Sequence, residues 1–149
     1  MEAGRGRLLP GAAFVTFLVC EDGSEYTERF RRFLGAEFEF VRAGSFAQAL
    51  PLLKDATGLL LDLDFRRTDP SLLVDESGAA APRSAAEIQG ILILRALRSR
   101  GVKLPALLFA DLDDAPRIER LQRELAPLSV IPSGEGLPEL ARRLRAIAK

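Results

Sequence analysis

The sequence predicts an α/β domain, a doubly wound five-stranded parallel sheet in the order 2-1-3-4-5. Three observations carry that expectation. Five short apolar runs, bounded by Gly, Pro, Ser and Asp, each give way to a segment with apolar residues at helical spacing. Strands that alternate with helices lie parallel with helices on both faces, and right-handed crossovers leave 2-1-3-4-5 as the common five-strand solution. The chain has 149 residues, which suits one domain able to bury roughly 70% of its unfolded surface without staples.

The elements follow in order. Residues 1–12 read as an N-terminal tail, and the domain occupies 13–149. Ala13 to Val19 is apolar and rich in Phe and Val, as a buried strand requires. Ser24 is the expected N-cap of a helix in which Tyr26, Phe30 and Phe33 recur and which Gly35 ends. Phe38 to Val41 is the second strand. Ser45 opens a helix through Leu53, with Pro51 disturbing its last turn. Gly58 to Asp64 is the third strand, apolar enough for burial on both faces. From Phe65 to Pro82 the sequence is irregular, and connections this long are often functional or mobile. Ser84 to Arg100 is a helix closed by Gly101, and Leu104 to Ala110 the fourth strand. Ile118, Leu121 and Leu125 mark the fourth helix, Leu128 to Ile131 the fifth strand, and Leu137 to Ile147 the last helix. No DNA-binding effector is expected beyond it.

Composition narrows the chemistry. There are 21 basic and 21 acidic residues and no His, so the formal net charge is zero. No global attraction to nucleic acid is expected. Without His there is no Ser-His-Asp or Cys-His nucleophile, and one Cys leaves too few soft ligands for zinc. The lone Cys20 permits no internal disulfide, which suits the cytoplasm. No apolar run reaches the ~18 residues of a membrane span. Residues 8–20 imitate a signal peptide, but Pro10 and Gly11 break the run and Glu21 and Asp22 follow at once.

Acidic residues converge where such folds bind ligands. In an open parallel sheet that place is the carboxyl end of the strands, where strand order reverses between strands 1 and 3. Glu21 and Asp22 follow strand 1, and Asp62 and Asp64 end strand 3. Crowded carboxylates must be solvated, protonated, paired with bases or bound to metal. One reading is a Mg²⁺ site of Glu21, Asp22 and Asp62, with Asp62 attacking a phosphoryl group. The other is an acidic rim neutralised by Arg66 or Arg67.

The stretches FLVCEDGSEY, GLLLDLDF and GILILRALRSRGVKLPALLFA resemble response-regulator receiver domains. They match the first strand with its acidic pair, the third strand with Asp62 at the phosphoacceptor position, and the third helix with the fourth strand. The resemblance spans about residues 13–148 and implies a flavodoxin-like fold. It implies two-component signalling, in which a histidine kinase passes a phosphoryl group to Asp62 in a phosphorelay and the acidic pair holds Mg²⁺. Phosphorylation then alters the face made by helix 4, strand 5 and helix 5.

The departures shape the functional expectation. Ala110 stands where receivers carry Ser or Thr at the end of strand 4, and Ile131 where they carry Lys before a Pro. Ser129 or Val130 replaces the switch aromatic. Phosphoryl chemistry depends on charge neutralisation and positioning, and a ligand without differential contacts shifts no equilibrium. The chain is therefore read as an atypical pseudo-receiver that signals through protein–protein interaction and is no enzyme. Its expected partner is a protein, a histidine kinase or a signalling complex, and a homodimer is compatible. Mg²⁺ is allowed but not required, and no organic cofactor is expected. Alternative readings keep Asp62 as a working phosphoacceptor with an Arg as its cation, with Asp64, Arg66 and Arg67 as the surrounding charges.

A second alternative reads Asp62-Leu63-Asp64 as the DxD of haloacid-dehalogenase-type phosphohydrolases, with Asp113 and Asp114 as a Mg²⁺ pair. Asp114 has a simpler role as the N-cap of helix 4. Cys20 reads as a small buried apolar residue whose acidic neighbours lower its reactivity. Arg142, Arg143, Arg145 and Lys149 give the last helix a basic face, solvated or docked to an acidic partner. Leu72, Leu73 and Val74 form an apolar spot in the long connection, a candidate docking site.

Overall fold

The computed structural model describes residues 14–149. The predicted tail, and Ala13 of the first predicted strand, lie outside them. Five parallel strands form one sheet in the order β2-β1-β3-β4-β5, as predicted. They are β1 (Thr16–Cys20), β2 (Glu39–Ala43), β3 (Gly58–Asp62), β4 (Ala106–Phe109) and β5 (Leu128–Ile131). The helices are α1 (Glu25–Leu34), α2 (Phe46–Ala49), α3 (Gln89–Ser99), α4 (Ala115–Glu124) and α5 (Leu137–Ala148).

Strand alternation explains the two cores. Successive side chains point to opposite faces. Leu18, Cys20, Leu59, Leu61 and Leu108 pack on one face against Ile93, Leu94 and Leu97 of α3 and Leu121 of α4. Phe17, Val19, Leu60, Leu107 and Phe109 pack on the other against Phe30 of α1 and Leu140 and Leu144 of α5. Burial on both sides is why β1, β3 and β4 read as unbroken apolar runs. No helix among the described residues is long and apolar enough to cross a membrane.

Several boundaries differ from expectation, each with a local cause. The first strand starts at Thr16 and the fourth at Ala106, because pairing with neighbours rather than apolar content sets a strand's length. The third ends at Asp62. Pro51 confines α2 to four residues, and the chain continues as a 3₁₀ turn over Leu50–Asp55. The third helix begins at Gln89, preceded by a 3₁₀ segment over Arg83–Ile88. Gly101, at φ +85°, ends it in the left-handed conformation.

The long β3–α3 connection is packed rather than loose. Phe65 and Leu73 are fully buried in the α3-side core, and Val74 nearly so. Val74 bridges to Ala80 across a turn in which the Asp75 carboxylate accepts from Ser77 and Ala79. The buried Gln89 amide clasps Val74 from both sides, accepting from its N–H at 2.9 Å and donating to its carbonyl at 3.0 Å. This corrects the apolar docking spot: of Leu72, Leu73 and Val74, only Leu72 is exposed.

Candidate functional site

The crevice at the carboxyl ends of β1 and β3 is built from its backbone outward. The Glu21 N–H donates to the Ala43 carbonyl, continuing the ladder past β1. Gly90 lets α3 approach the end of β3: its N–H donates to the Leu63 carbonyl, and a Cβ there would collide with the Asp62 carbonyl oxygen.

Glu21 is a structural carboxylate. It is 1% exposed, and both its oxygens serve α1. Oε1 accepts from the Tyr26 N–H at 3.1 Å. Oε2 accepts from the Thr27 N–H at 2.8 Å and the Thr27 hydroxyl at 2.6 Å. The first turn of any helix leaves N–H groups without intrahelical partners, and an anion there is favourable. Glu21 thus does what Ser24 was expected to do. Ser24 occupies the N-cap position, but its hydroxyl goes to Glu28 instead.

Asp22 is also engaged. Its Oδ2 accepts from the Arg67 backbone N–H at 2.9 Å, and its Oδ1 from Arg67 Nη2 at 3.1 Å. The same guanidinium grips both oxygens of Glu25, at 2.9 and 3.0 Å. Arg67 holds Glu25 down to about 2, chiefly through these hydrogen bonds. Gly23 makes room, since a Cβ there would collide with the Arg67 guanidinium and the Glu25 carboxylate. The start of the long connection thus folds back over the acidic pair. Arg66 turns the other way, to Asp64 at 2.7 Å, and is largely exposed.

Asp62 stands apart from both. It is half-buried and has no cationic partner among the described residues; its Oδ1 accepts only the N–H of Leu63. Desolvation raises its carboxyl to about 6, with the charges of Asp22, Glu21 and Asp64 adding to the shift. Tyr26 lies close by, stacked on Phe109 at 4.8 Å, its hydroxyl pushed up to about 12 by burial first and Asp62 second.

On the β4–β5 side the strand ends are apolar, with one carboxylate, Asp111, in the loop after β4. Ala110 is buried and its N–H donates to the Ile131 carbonyl at 2.9 Å. Ile131 is fully buried with Phe109, Val19 and Leu140. Asp111 binds the Ser133 backbone N–H at 3.0 Å and its hydroxyl, joining the loops after β4 and β5. Asp114 caps α4, accepting from the Arg117 N–H at 3.1 Å, the role expected of it.

These engagements decide whether the residues suit Mg²⁺. The ion needs free carboxylate oxygens and waters. Both oxygens of Glu21 and both of Asp22 already accept hydrogen bonds, and Arg67 puts a positive charge beside Asp22. Among the described residues no three acidic, His or Cys side chains are grouped so as to hold a metal ion. As arranged, the residues do not fit the metal.

Sequence reading missed four contributors. Thr27 and Tyr26 looked like ordinary helix residues. Arg42, on β2, donates to the Gly23 and Glu21 carbonyls and so braces the β1–α1 turn. Gln89 shows only as a polar residue at a buried position. The basic face predicted for the last helix is largely neutralised: Glu139 pairs with Arg142 and Arg143, and Glu37 with Arg145. Cys20 is fully buried, its thiol pushed up to about 12 by desolvation and then by Glu21.

No protein-family model and no curated protein matches the sequence. Solved structures do match in fold. The Francisella response regulator 1452 receiver domain superposes with a TM-score of 0.65 at 15% identity, over 89% of this chain and 95% of that one. Vibrio cholerae chemotaxis protein CheY4 gives 0.65 at 12% identity, over 91% and 99%. A structure from Rhodopirellula baltica named as an adenylate cyclase gives 0.61 at 13% identity, over 90% and 87%. Proteins with such different names share the architecture, so at these identities the likeness speaks for fold alone. The chain has the flavodoxin-like fold of response-regulator receiver domains.

Proposed function

We propose that the chain is a pseudo-receiver, a cytoplasmic signalling domain that works through protein–protein contacts without a phosphorylation switch and without Mg²⁺. One observation carries this reading: the protein itself occupies every oxygen of its acidic pair, Glu21 through α1 and Asp22 through Arg67. Among the described residues Asp62 has no cation to stabilise a transferred phosphoryl group, and burial raises its carboxyl to about 6, which weakens it as a nucleophile at lower pH. Ala110 offers no hydroxyl and Ile131 no ammonium. A bound phosphoryl would find nothing that distinguishes two states of the β4–β5 face. The occupant of that face is a protein partner, a histidine kinase, a member of a signalling complex or a second copy.

The phosphohydrolase alternative has less support. Asp64 is paired with Arg66, and Asp114 is spent as a helix cap. Intact mass after incubation with acetyl phosphate and Mg²⁺ tests the proposal. The expected result is no phosphoryl adduct and no turnover of a generic phosphoester. An adduct that disappears in Asp62→Asn would overturn it in favour of a working phosphoacceptor.

A further inference from the structure

The long β3–α3 connection forms a half-open cavity of about 510 Å³, within the usual range for small-molecule sites. It adjoins the acidic crevice through Arg66, which lines it and pairs with Asp64, but no crevice carboxylate lines it. Its floor is apolar: Leu73 and Ala86 are buried there, with Pro70 beside them. Its walls are fixed. The Phe65 N–H donates to the Ala86 carbonyl at 2.8 Å, and the buried Thr68 hydroxyl to the Gly44 carbonyl at 3.0 Å.

Arg66 is spent on Asp64. Arg83 and Glu87 both line the cavity, four residues apart, yet neither forms an ion pair or side-chain hydrogen bond, with each other or with any other described residue. An unpaired cation and an unpaired anion over one apolar floor match a zwitterion with an apolar tail.

We propose that this cavity binds a free α-amino acid with an apolar side chain. Its carboxylate meets the Arg83 guanidinium, its ammonium meets the Glu87 carboxylate, and its side chain lies on Leu73, Ala86 and Pro70. The Ser84 hydroxyl, on the same rim, is a further partner for the carboxylate. A polyphosphate would overcharge a site with one unspent cation, and a purely apolar ligand would leave both charges idle. The inference does not rest on the pseudo-receiver reading, because no residue of the acidic crevice takes part.

The test is a titration of the labelled full chain with L-phenylalanine, followed by backbone amide shifts. The expected result is saturation at millimolar concentrations, as befits a small ligand on an open site, with shifts centred on Thr68, Leu73, Ser84 and Ala86. 3-Phenylpropionate, which lacks the ammonium, and phenethylamine, which lacks the carboxylate, should each bind about tenfold more weakly. Arg83→Gln and Glu87→Gln should cost the amino acid a similar factor, with amide spectra elsewhere unchanged. Asp62→Asn should leave binding as it is. Absence of saturable shifts at these residues would overturn the proposal. So would equal binding of the three probes, or variants that bind like the parent.

Discussion

The two sides of the crevice are made from opposite materials. The β1–β3 side carries four carboxylates in Glu21, Asp22, Asp62 and Asp64, while the strand ends of the β4–β5 side present Ala110 and Ile131, buried among apolar neighbours, and its one carboxylate, Asp111, is tied to Ser133. Phosphoryl transfer depends on neutralising and positioning the group's charge, and apolar groups at Ala110 and Ile131 can do neither. Where the far side is apolar, the near side finds other uses for its charge. Glu21 caps a helix, and Asp22 anchors a loop through Arg67. The same residue types in the same order can therefore be fastened into the scaffold instead of offered to a ligand.

The comparison breaks most sharply at Ile131. If the β4–β5 side is apolar by construction, Ile131→Lys buries an ammonium against Phe109, Val19 and Leu140. A loss of about 3–5 kcal/mol is expected, read by denaturant unfolding. A variant as stable as the parent that also responds to beryllofluoride would show that the new Lys reaches Asp62, and that only a side chain separates this domain from a working switch.

Glu21→Ala comes next. It strips partners from the Thr27 hydroxyl and from two N–H groups at the start of α1, so a loss of about 3 kcal/mol is expected. A nearly neutral result would mean that Glu21 is not the cap and is free to serve a ligand.

Asp62 should behave in the opposite sense. Its carboxyl titrates near 6 in the fold and near the ordinary 3.8 in the unfolded chain. The folded state therefore binds the extra proton between those values. The stabilisation that comes from neutral Asp62 is complete below about pH 4 and lost as pH rises through 6. Asp62→Asn mimics the neutral form. It should raise stability above pH 7 by about 1–2 kcal/mol, after allowance for the solvent that screens a half-buried group, and have no effect well below the unfolded value of 3.8, at about pH 2–3. A destabilising substitution at pH 8 would reveal a cation paired with Asp62.

These cases also show what could be read from the sequence. The strand order was legible because β1, β3 and β4 are buried on both faces and so write unbroken apolar runs. The crevice was legible as a place, since Glu21, Asp22 and Asp62 fall at strand ends. Its state was not. The hydrogen bonds from Arg67 to Asp22 span 45 residues, and nothing local marks Arg67 rather than Arg66 as the one that folds back. The same limit hid the packing of Leu73 and Val74, which depends on Gln89 fifteen residues onward. Glu21 is ambiguous for a different reason: a carboxylate after a strand looks alike in the sequence whether it faces a metal or the helix beyond it, and here its oxygens accept from Tyr26 and Thr27.

The smallest effect on stability falls on Arg67, and it is the most informative about the crevice. Its guanidinium and Glu25 are exposed while the Asp22 side chain is 6% exposed, so Arg67→Ala should cost only about 1 kcal/mol of stability. Its effect on ion binding should be larger. With the guanidinium gone, Asp22 Oδ1 is freed and the local positive charge vanishes, while Asp62 is still in place. Glu21 stays committed to Thr27, so two carboxylates become available, the number that Mg²⁺ commonly takes alongside waters. Mg²⁺ should then shift the amide resonances of Asp22 and Asp62 in Arg67→Ala and not in the parent, and added salt should weaken the response. If parent and variant both respond, Arg67 is not what closes the crevice, and the metal-free reading fails with it. If neither responds, the cap on Glu21 alone suffices, and the acidic residues serve the scaffold on both counts.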